Sequence, residues 1–208
     1  MASIHAERAA LAADLTGLDA AQWHHATLCA EWDVEQVVAH LTAVASVGRW
    51  RWIRSIVGAR FRPDVHNRRR LAEHLGATPE ETLDRFQRVI TSTVTPSGHI
   101  PAYLGEVVVH AQDIRHPLGL TATPSADALV PVAEFYARRD FTVAGRTHSA
   151  GLHLRADDAP FSVGDGATVT GPILALVMVL AGRTAYLDEL DGVGVEVLRQ
   201  RLDPVAAV

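Results

Sequence analysis

The chain has 208 residues, of which 48% are hydrophobic and 21% are charged, which is typical of a globular protein with one large domain or two small ones. Its formal net charge of -5 argues against a general nucleic-acid binder, because such proteins are normally basic. The single cysteine, Cys29, excludes an intramolecular disulfide framework and a cysteine-rich zinc site, and it favours a reducing cytoplasm as the compartment.

Two helices are predicted in the first sixty residues. The first covers the N-terminal segment, whose apolar residues recur at helical spacing, at Ile4, Leu11, Leu15 and Leu18. The second begins near Asp33, whose side chain can cap the free amides, with Gln36 placed for a capping box. This helix is expected to run through "VEQVVAHLTAVASVGRW" and up to about residue 57.

Two further helices complete a predicted bundle. "TPEETLDRFQRVITSTV" begins with Pro79 in its first turn and has carboxylates where the helix dipole favours them. The fourth helix opens near Pro101 and closes between Pro117 and Gly119. Four long helices with modest connections predict an antiparallel bundle.

The pattern changes in the last third of the chain. After another helical stretch, "ADALVPVAEFYARR", the segment "GLHLRADDAPFSVGDGATVTG" has short alternating runs and turn residues, which predict two or three strands. "PILALVMVLAGR" then indicates a buried helix and "GVEVLRQRL" a final element. We predict an α+β protein, with a helical domain over residues 1–145 and a small α+β domain over residues 146–208.

No membrane partner is expected. The N-terminus carries charges among its apolar residues and lacks the basic start and unbroken apolar stretch of a signal peptide. The longest apolar run, "ILALVMVLAG", is too short to span a bilayer.

A group of ionisable residues lies on faces that are predicted to be buried. Glu106 and His110 are one turn apart on the fourth helix, and an i, i+4 pair projects from one helix face. His40 lies on the apolar stripe of the second helix, three residues after Val37. Two histidines and a carboxylate suit zinc or another borderline divalent metal, and three protein ligands leave a position open for catalysis. The alternative is a surface Glu106–His110 pair, with His40 a hydrogen-bonded core histidine.

Several stretches together resemble one family. "LCAEWDVEQVVAHL", "FRPDVHNRRRLAEHLGATPEETL" and "GEVVVHAQDIRHPLG", followed by "FSVGDGATVTGPILALVMVLAGR", are similar to the mycothiol-dependent maleylpyruvate isomerases. That family belongs to the DinB-like metal-binding bundles. The resemblance implies an N-terminal DinB-like four-helix bundle, a C-terminal α+β domain, and a divalent metal, usually zinc, bound by His40, Glu106 and His110.

The resemblance also implies a thiol-dependent enzyme. In that family a low-molecular-weight thiol, mycothiol in actinobacteria, binds the metal as a thiolate and attacks an electrophilic small molecule for isomerisation or S-transfer. A cytoplasmic monomer or homodimer is expected, with no nucleic-acid partner. A non-catalytic metal-binding or ligand-sensing module, and a buried polar network without metal, remain alternatives, because a fold does not establish a function.

Four more residues have predicted roles. Asp113 lies in the shared motif as a catalytic candidate that orients a histidine ligand or binds the thiol, and Arg115 is the cofactor-binding candidate. A helix cap or an inter-helix salt bridge is the alternative for both. The resemblance suggests that Arg183 corresponds to an arginine that reaches toward the substrate, where its guanidinium would clamp a carboxylate. The alternative is a surface arginine at the end of a helix. Cys29 is expected to be a small packed residue at the start of a helix.

The remaining histidines and arginines suggest no separate site. His24 and His25 are expected to lie at the surface or next to the metal ligands, and not to bind the metal themselves. The arginines around Trp50 and the run from Arg68 to Arg70 are expected on a solvated helix face, although they could line an entrance for an anionic substrate.

Overall fold

The computed structural model of the protein describes residues 1–29, 32–46, 48, 71–95 and 98–203. The chain divides into two compact units, Met1–Ala122 and Thr123–Val208. The predicted continuation of the second helix to about residue 57, the arginines around Trp50 and the run from Arg68 to Arg70 lie outside the described residues.

The first unit is a helical bundle. Its helices are α1 (Ala2–Thr16), α2 (Ala20–Trp23), α3 (Val34–Ser46), α4 (Pro79–Gln87) and α5 (Ile100–Leu118). Helix α1 packs against α4 and α5, and α3 packs against the same two helices. The four longer helices therefore surround a shared core, which confirms the predicted four-helix bundle.

The ends of these helices follow the local signals in the sequence. Asp33 and Gln36 form the predicted capping box: the Gln36 amide donates to Asp33 Oδ1 at 2.8 Å, and the Asp33 amide donates to Gln36 Oε1 at 3.0 Å. Thr78 caps α4 in front of Pro79. Gly119 ends α5 in the left-handed conformation, with φ of 66°, which glycine adopts without the cost that a Cβ imposes.

A buried polar contact joins α3 to α4. Thr82 is fully buried; its hydroxyl donates to Glu35 Oε1 at 2.7 Å and accepts from the Gly76 amide at 2.8 Å. One hydroxyl therefore satisfies both a buried carboxylate and the amide of the turn before α4.

We expect Thr82→Val to lower the free energy of unfolding by about 2 kcal/mol, because a buried carboxylate and a backbone amide each lose their partner while the side-chain volume is kept. Urea denaturation measures the change. Thr91→Val, the same replacement at an exposed position, is the control and should change stability by less than about 0.5 kcal/mol. Equal effects of the two variants would contradict the structural role of Thr82.

The second unit combines helices with a small sheet. It contains α6 (Ala126–Arg138), α7 (Gly145–Ser149), β1 (Leu152–Ala156), β2 (Ser162–Val163), β3 (Ala167–Gly171), α8 (Ile173–Leu180), a 3-10 helix (Thr184–Glu189) and α9 (Val195–Leu202). The predicted strands and the buried helix are confirmed. Helix α6 packs against α8, and so the second unit begins earlier than the boundary predicted near residue 145 from the change in sequence pattern.

The sheet has an unusually short parallel connection. Strand β1 is central, antiparallel to β2 and parallel to β3, and only residues 157–166 separate β1 from β3. Gly164 and Gly166 have positive φ, and a Cβ on either would collide with the backbone oxygen of Leu152 or Gly151. These glycines let the chain cross close to the start of β1. Among the described helices, none combines the length and apolar character that a membrane span requires.

Candidate metal centre

Three predicted ligands come together in the first unit. His40 is presented by α3, and Glu106 and His110 are presented by α5, one turn apart. Glu106 Oε2 lies 3.5 Å from His40 Nε2 and 3.6 Å from His110 Nε2. One ligand atom from each residue lies within 4.8 Å of the other two. We call this group the His40–Glu106–His110 trio.

The trio is shielded from solvent. His40 and His110 are 7% and 8% exposed, and Glu106 is half-buried. A surface Glu106–His110 pair would leave both side chains in water. The observed burial and convergence of the three side chains therefore favour a buried binding site over a surface pair.

Asp113 contacts Nδ1 of His110, the ring nitrogen that is not turned to Glu106. Its side chain is fully buried, and Oδ2 lies 3.0 Å from His110 Nδ1. Occupying Nδ1 in this way leaves Nε2 turned to Glu106. A carboxylate behind a histidine fixes both the ring orientation and the tautomer of a metal-binding histidine.

The electrostatics of the trio favour a positive charge between its members. Burial by itself would raise the pKa of Glu106, but hydrogen bonds with His110 and His40 outweigh it and hold that pKa far below its ordinary value. Burial opposes a charge on His110, yet hydrogen bonds with Asp113, Cys29 and Glu106 raise its pKa above the ordinary value. A proton on His110 or a divalent cation can supply this positive charge.

The donor set fits a divalent metal. Two imidazole nitrogens and one carboxylate oxygen are zinc ligands, and bonds of about 2.0–2.1 Å in tetrahedral geometry place ligand atoms about 3.3–3.4 Å apart. The separations of 3.5 and 3.6 Å from Glu106 to the two histidines are close to that spacing. Three protein ligands leave one position for an external ligand.

Part of the first unit matches a known protein family. Residues 4–95 match the family model described as the mycothiol maleylpyruvate isomerase N-terminal domain. This part of the chain is therefore similar to that domain. The family resemblance inferred from the sequence is thereby confirmed.

The similarity of fold extends through most of the chain. A crystal structure of a mycothiol-dependent maleylpyruvate isomerase matches with a TM-score of 0.61 and 15% identity, over 92% of this chain and 90% of that chain. A crystal structure of a histidine-to-alanine mutant of a mycothiol-dependent maleylpyruvate isomerase matches with a TM-score of 0.59 and 16% identity, over the same shares. Identity at this level shows the fold. No curated protein sequence matches this chain.

Two residues beside the trio were not predicted as part of the site. The Trp32 ring lies 4.8 Å from the His40 ring and 6.2 Å from the His110 ring, centroid to centroid. Cys29 forms a cluster with His110 and Asp113, with ligand atoms within 4.8 Å of one another. Sequence reasoning had assigned Cys29 to packing at the start of a helix. The available signal was the Cys-x-x-Trp pattern itself, which carries the family resemblance.

The two predicted arginines have different settings. Arg115 is 1% exposed, and its Nε donates to Asp14 Oδ2 at 2.7 Å. This is the inter-helix salt bridge, between α1 and α5, that the sequence left as the alternative. Arg183 belongs to the second unit, where it precedes the 3-10 helix and donates from Nη1 to the Ala181 carbonyl at 2.7 Å. The cofactor-binding role of Arg115 and the catalytic role of Arg183 stay predictions.

Proposed function

We propose that this protein is a metal-dependent enzyme that activates a low-molecular-weight thiol, mycothiol or a similar compound, for isomerisation or S-transfer on an electrophilic small molecule. The convergence of His40, Glu106 and His110 in a buried site carries this proposal. The similarity of residues 4–95 to the mycothiol maleylpyruvate isomerase N-terminal domain supports it. Zinc is the metal that the donor set suits best.

The proposed chemistry explains why the chain contains ionisable groups in its core. A divalent cation at the trio would favour the thiolate form of a bound thiol near neutral pH. Glu106 and the two histidines would supply the ligand atoms, and Asp113 would keep Nε2 of His110 turned toward the trio. The external thiol is then the nucleophile. In an isomerisation it adds to a conjugated double bond, allows rotation about the resulting single bond and leaves.

The remaining predicted residues have roles within the same proposal. Asp113 acts through His110 and is therefore a positioning residue. The guanidinium of Arg183 would recognise a carboxylate of the substrate, for which a bidentate geometry is suited. Arg115 is the predicted cofactor-binding residue, and its salt bridge with Asp14 makes a supporting role in the bundle the competing proposal.

Removal and return of the metal tests the proposed function. Protein treated with a chelator should lose turnover of maleylpyruvate in the presence of mycothiol, and one equivalent of zinc should restore it, as followed by the absorbance of substrate and product. Omission of the thiol is the control and should stop turnover with zinc present. Activated electrophiles replace maleylpyruvate in a parallel assay of S-transfer.

Two outcomes would oppose the enzyme proposal. Turnover that persists after complete removal of the metal would exclude the trio as the centre of the reaction. One metal per chain without thiol-dependent turnover on any tested electrophile would favour the metal-binding or ligand-sensing module instead.

A further inference from the structure

The described residues between α2 and α3 are joined by several hydrogen bonds. We call residues 26–29 with 32–33 the connecting loop. The Thr27 hydroxyl and amide both donate to the Trp32 carbonyl, at 2.8 and 3.2 Å, and the Trp32 amide donates to the Cys29 carbonyl at 2.9 Å. A β-bridge pairs Ala26 with Asp33. These bonds fix the positions of Cys29 and Trp32 relative to each other.

The connecting loop is also hydrogen-bonded to α5 at Asp113, the residue whose carboxylate contacts His110. The Leu28 amide donates to the Asp113 carbonyl at 3.1 Å. The backbone of the loop therefore contacts the same residue whose carboxylate holds His110 Nδ1. This attachment places Cys29 next to the His110–Asp113 pair.

Cys29 lies beside one histidine of the trio but is not one of its three members. Its sulfur lies within 4.8 Å of the ligand atoms of both His110 and Asp113, whereas the trio is formed by three other residues. Asp113 occupies Nδ1 of the ring, and Nε2 faces Glu106. Cys29 therefore lies beside the His110–Asp113 pair.

Trp32 supports the other histidine. Its ring is tilted by 41° to the His40 ring at a centroid distance of 4.8 Å, within the range of favourable aromatic packing. The indole also lies beside His110, at 6.2 Å, and is half-buried. An indole packed 4.8 Å from the His40 ring limits the space in which that ring can turn.

We propose that Cys29 and Trp32 are positioning residues of the metal centre, Cys29 for His110 and Trp32 for His40, so that the connecting loop aligns both histidines from outside the ligand set. This inference rests on the proposed metal site and extends it to residues that bind neither metal nor substrate. Outer partners of metal ligands typically contribute about 10- to 100-fold to metal affinity.

Cobalt binding to the full-length, metal-free protein tests the inference. Co²⁺ is titrated in thiol-free buffer, and its affinity and visible d–d spectrum are recorded for the wild type and four variants. Trp32→Leu and Cys29→Val should each weaken Co²⁺ binding by about 10- to 100-fold and change the d–d bands. Trp32→Phe keeps an aromatic ring and Cys29→Ser keeps a hydrogen-bonding group, so both should retain most of the wild-type affinity.

The spectrum separates positioning from ligation. Because Cys29 lies outside the trio, cobalt-loaded wild type should have no thiolate-to-cobalt charge-transfer band. Such a band, lost in Cys29→Ser, would make Cys29 a ligand and overturn its positioning role. Wild-type affinity and spectrum in Trp32→Leu and Cys29→Val would overturn the inference as a whole. Circular dichroism and thermal unfolding check the fold, and Trp32→Met and Cys29→Ala replace any variant that does not fold.

These results are distinguishable from a failure of the proposed function. If the variants lose cobalt affinity but the zinc-loaded wild type has no thiol-dependent turnover, the inference stands and the enzyme proposal falls. If the wild type shows thiol-dependent turnover while both non-conservative variants bind cobalt normally, the enzyme proposal stands and the inference about Cys29 and Trp32 falls. A wild type that binds no Co²⁺ would overturn both.

Discussion

His110→Ala is expected to be purified nearly free of metal, whereas the wild type should carry close to one divalent metal per chain. The variant removes one of three ligand atoms from the trio, and it also leaves Asp113, which is fully buried, without the ring that it contacts. A site that keeps only two of its three ligand atoms should bind the metal much more weakly, and thiol-dependent turnover should fall with the metal content. Elemental analysis of untagged protein measures the stoichiometry.

His24→Ala is the matched control for this experiment. His24 is an exposed histidine of the same unit, with Nδ1 3.7 Å from Asp33, and its removal should leave the metal content unchanged. Full metal content and full turnover in His110→Ala would contradict the proposed centre. Absence of metal from the wild type, even after reconstitution with zinc, would favour the buried polar network.

Arg115→Met is expected to lower the free energy of unfolding by about 3 kcal/mol. Arg115 is almost completely buried and its Nε donates to Asp14, so the replacement leaves a carboxylate between α1 and α5 without its partner. Removal of one member of a buried ion pair typically costs about 3–5 kcal/mol; the lower end applies because the Asp14 side chain is 20% exposed. Urea denaturation measures the loss.

The double variant Asp14→Asn/Arg115→Met is the control for the salt bridge. It removes the unpaired charge and should recover part of the stability lost in Arg115→Met, which a double-mutant cycle quantifies. Thiol-dependent turnover per folded molecule separates the two proposed roles of Arg115. Turnover close to the wild type would assign Arg115 to the bundle, whereas lost turnover with unchanged stability would support its predicted cofactor-binding role.

Local sequence determined the helices and the core of the site. The capping residues Asp33 and Gln36 and the terminating Gly119 act within a few positions of the chain, so their signals do not depend on packing elsewhere. The Glu106–His110 pair is local in the same sense, because the helical period alone places residues four apart on one face. The apolar stripe of α3 likewise determined that His40 would face inward.

Only the tertiary structure decided what surrounds these residues. The pairing of Arg115 with Asp14 and the approach of Cys29 and Trp32 to His110 join segments distant in sequence, and periodicity carries no information about which partner a buried side chain meets. The limits of the second unit depended in the same way on the packing of α6 against α8. Short-range patterns fix which faces are buried, whereas the neighbours of each buried group are set by the packing of whole elements.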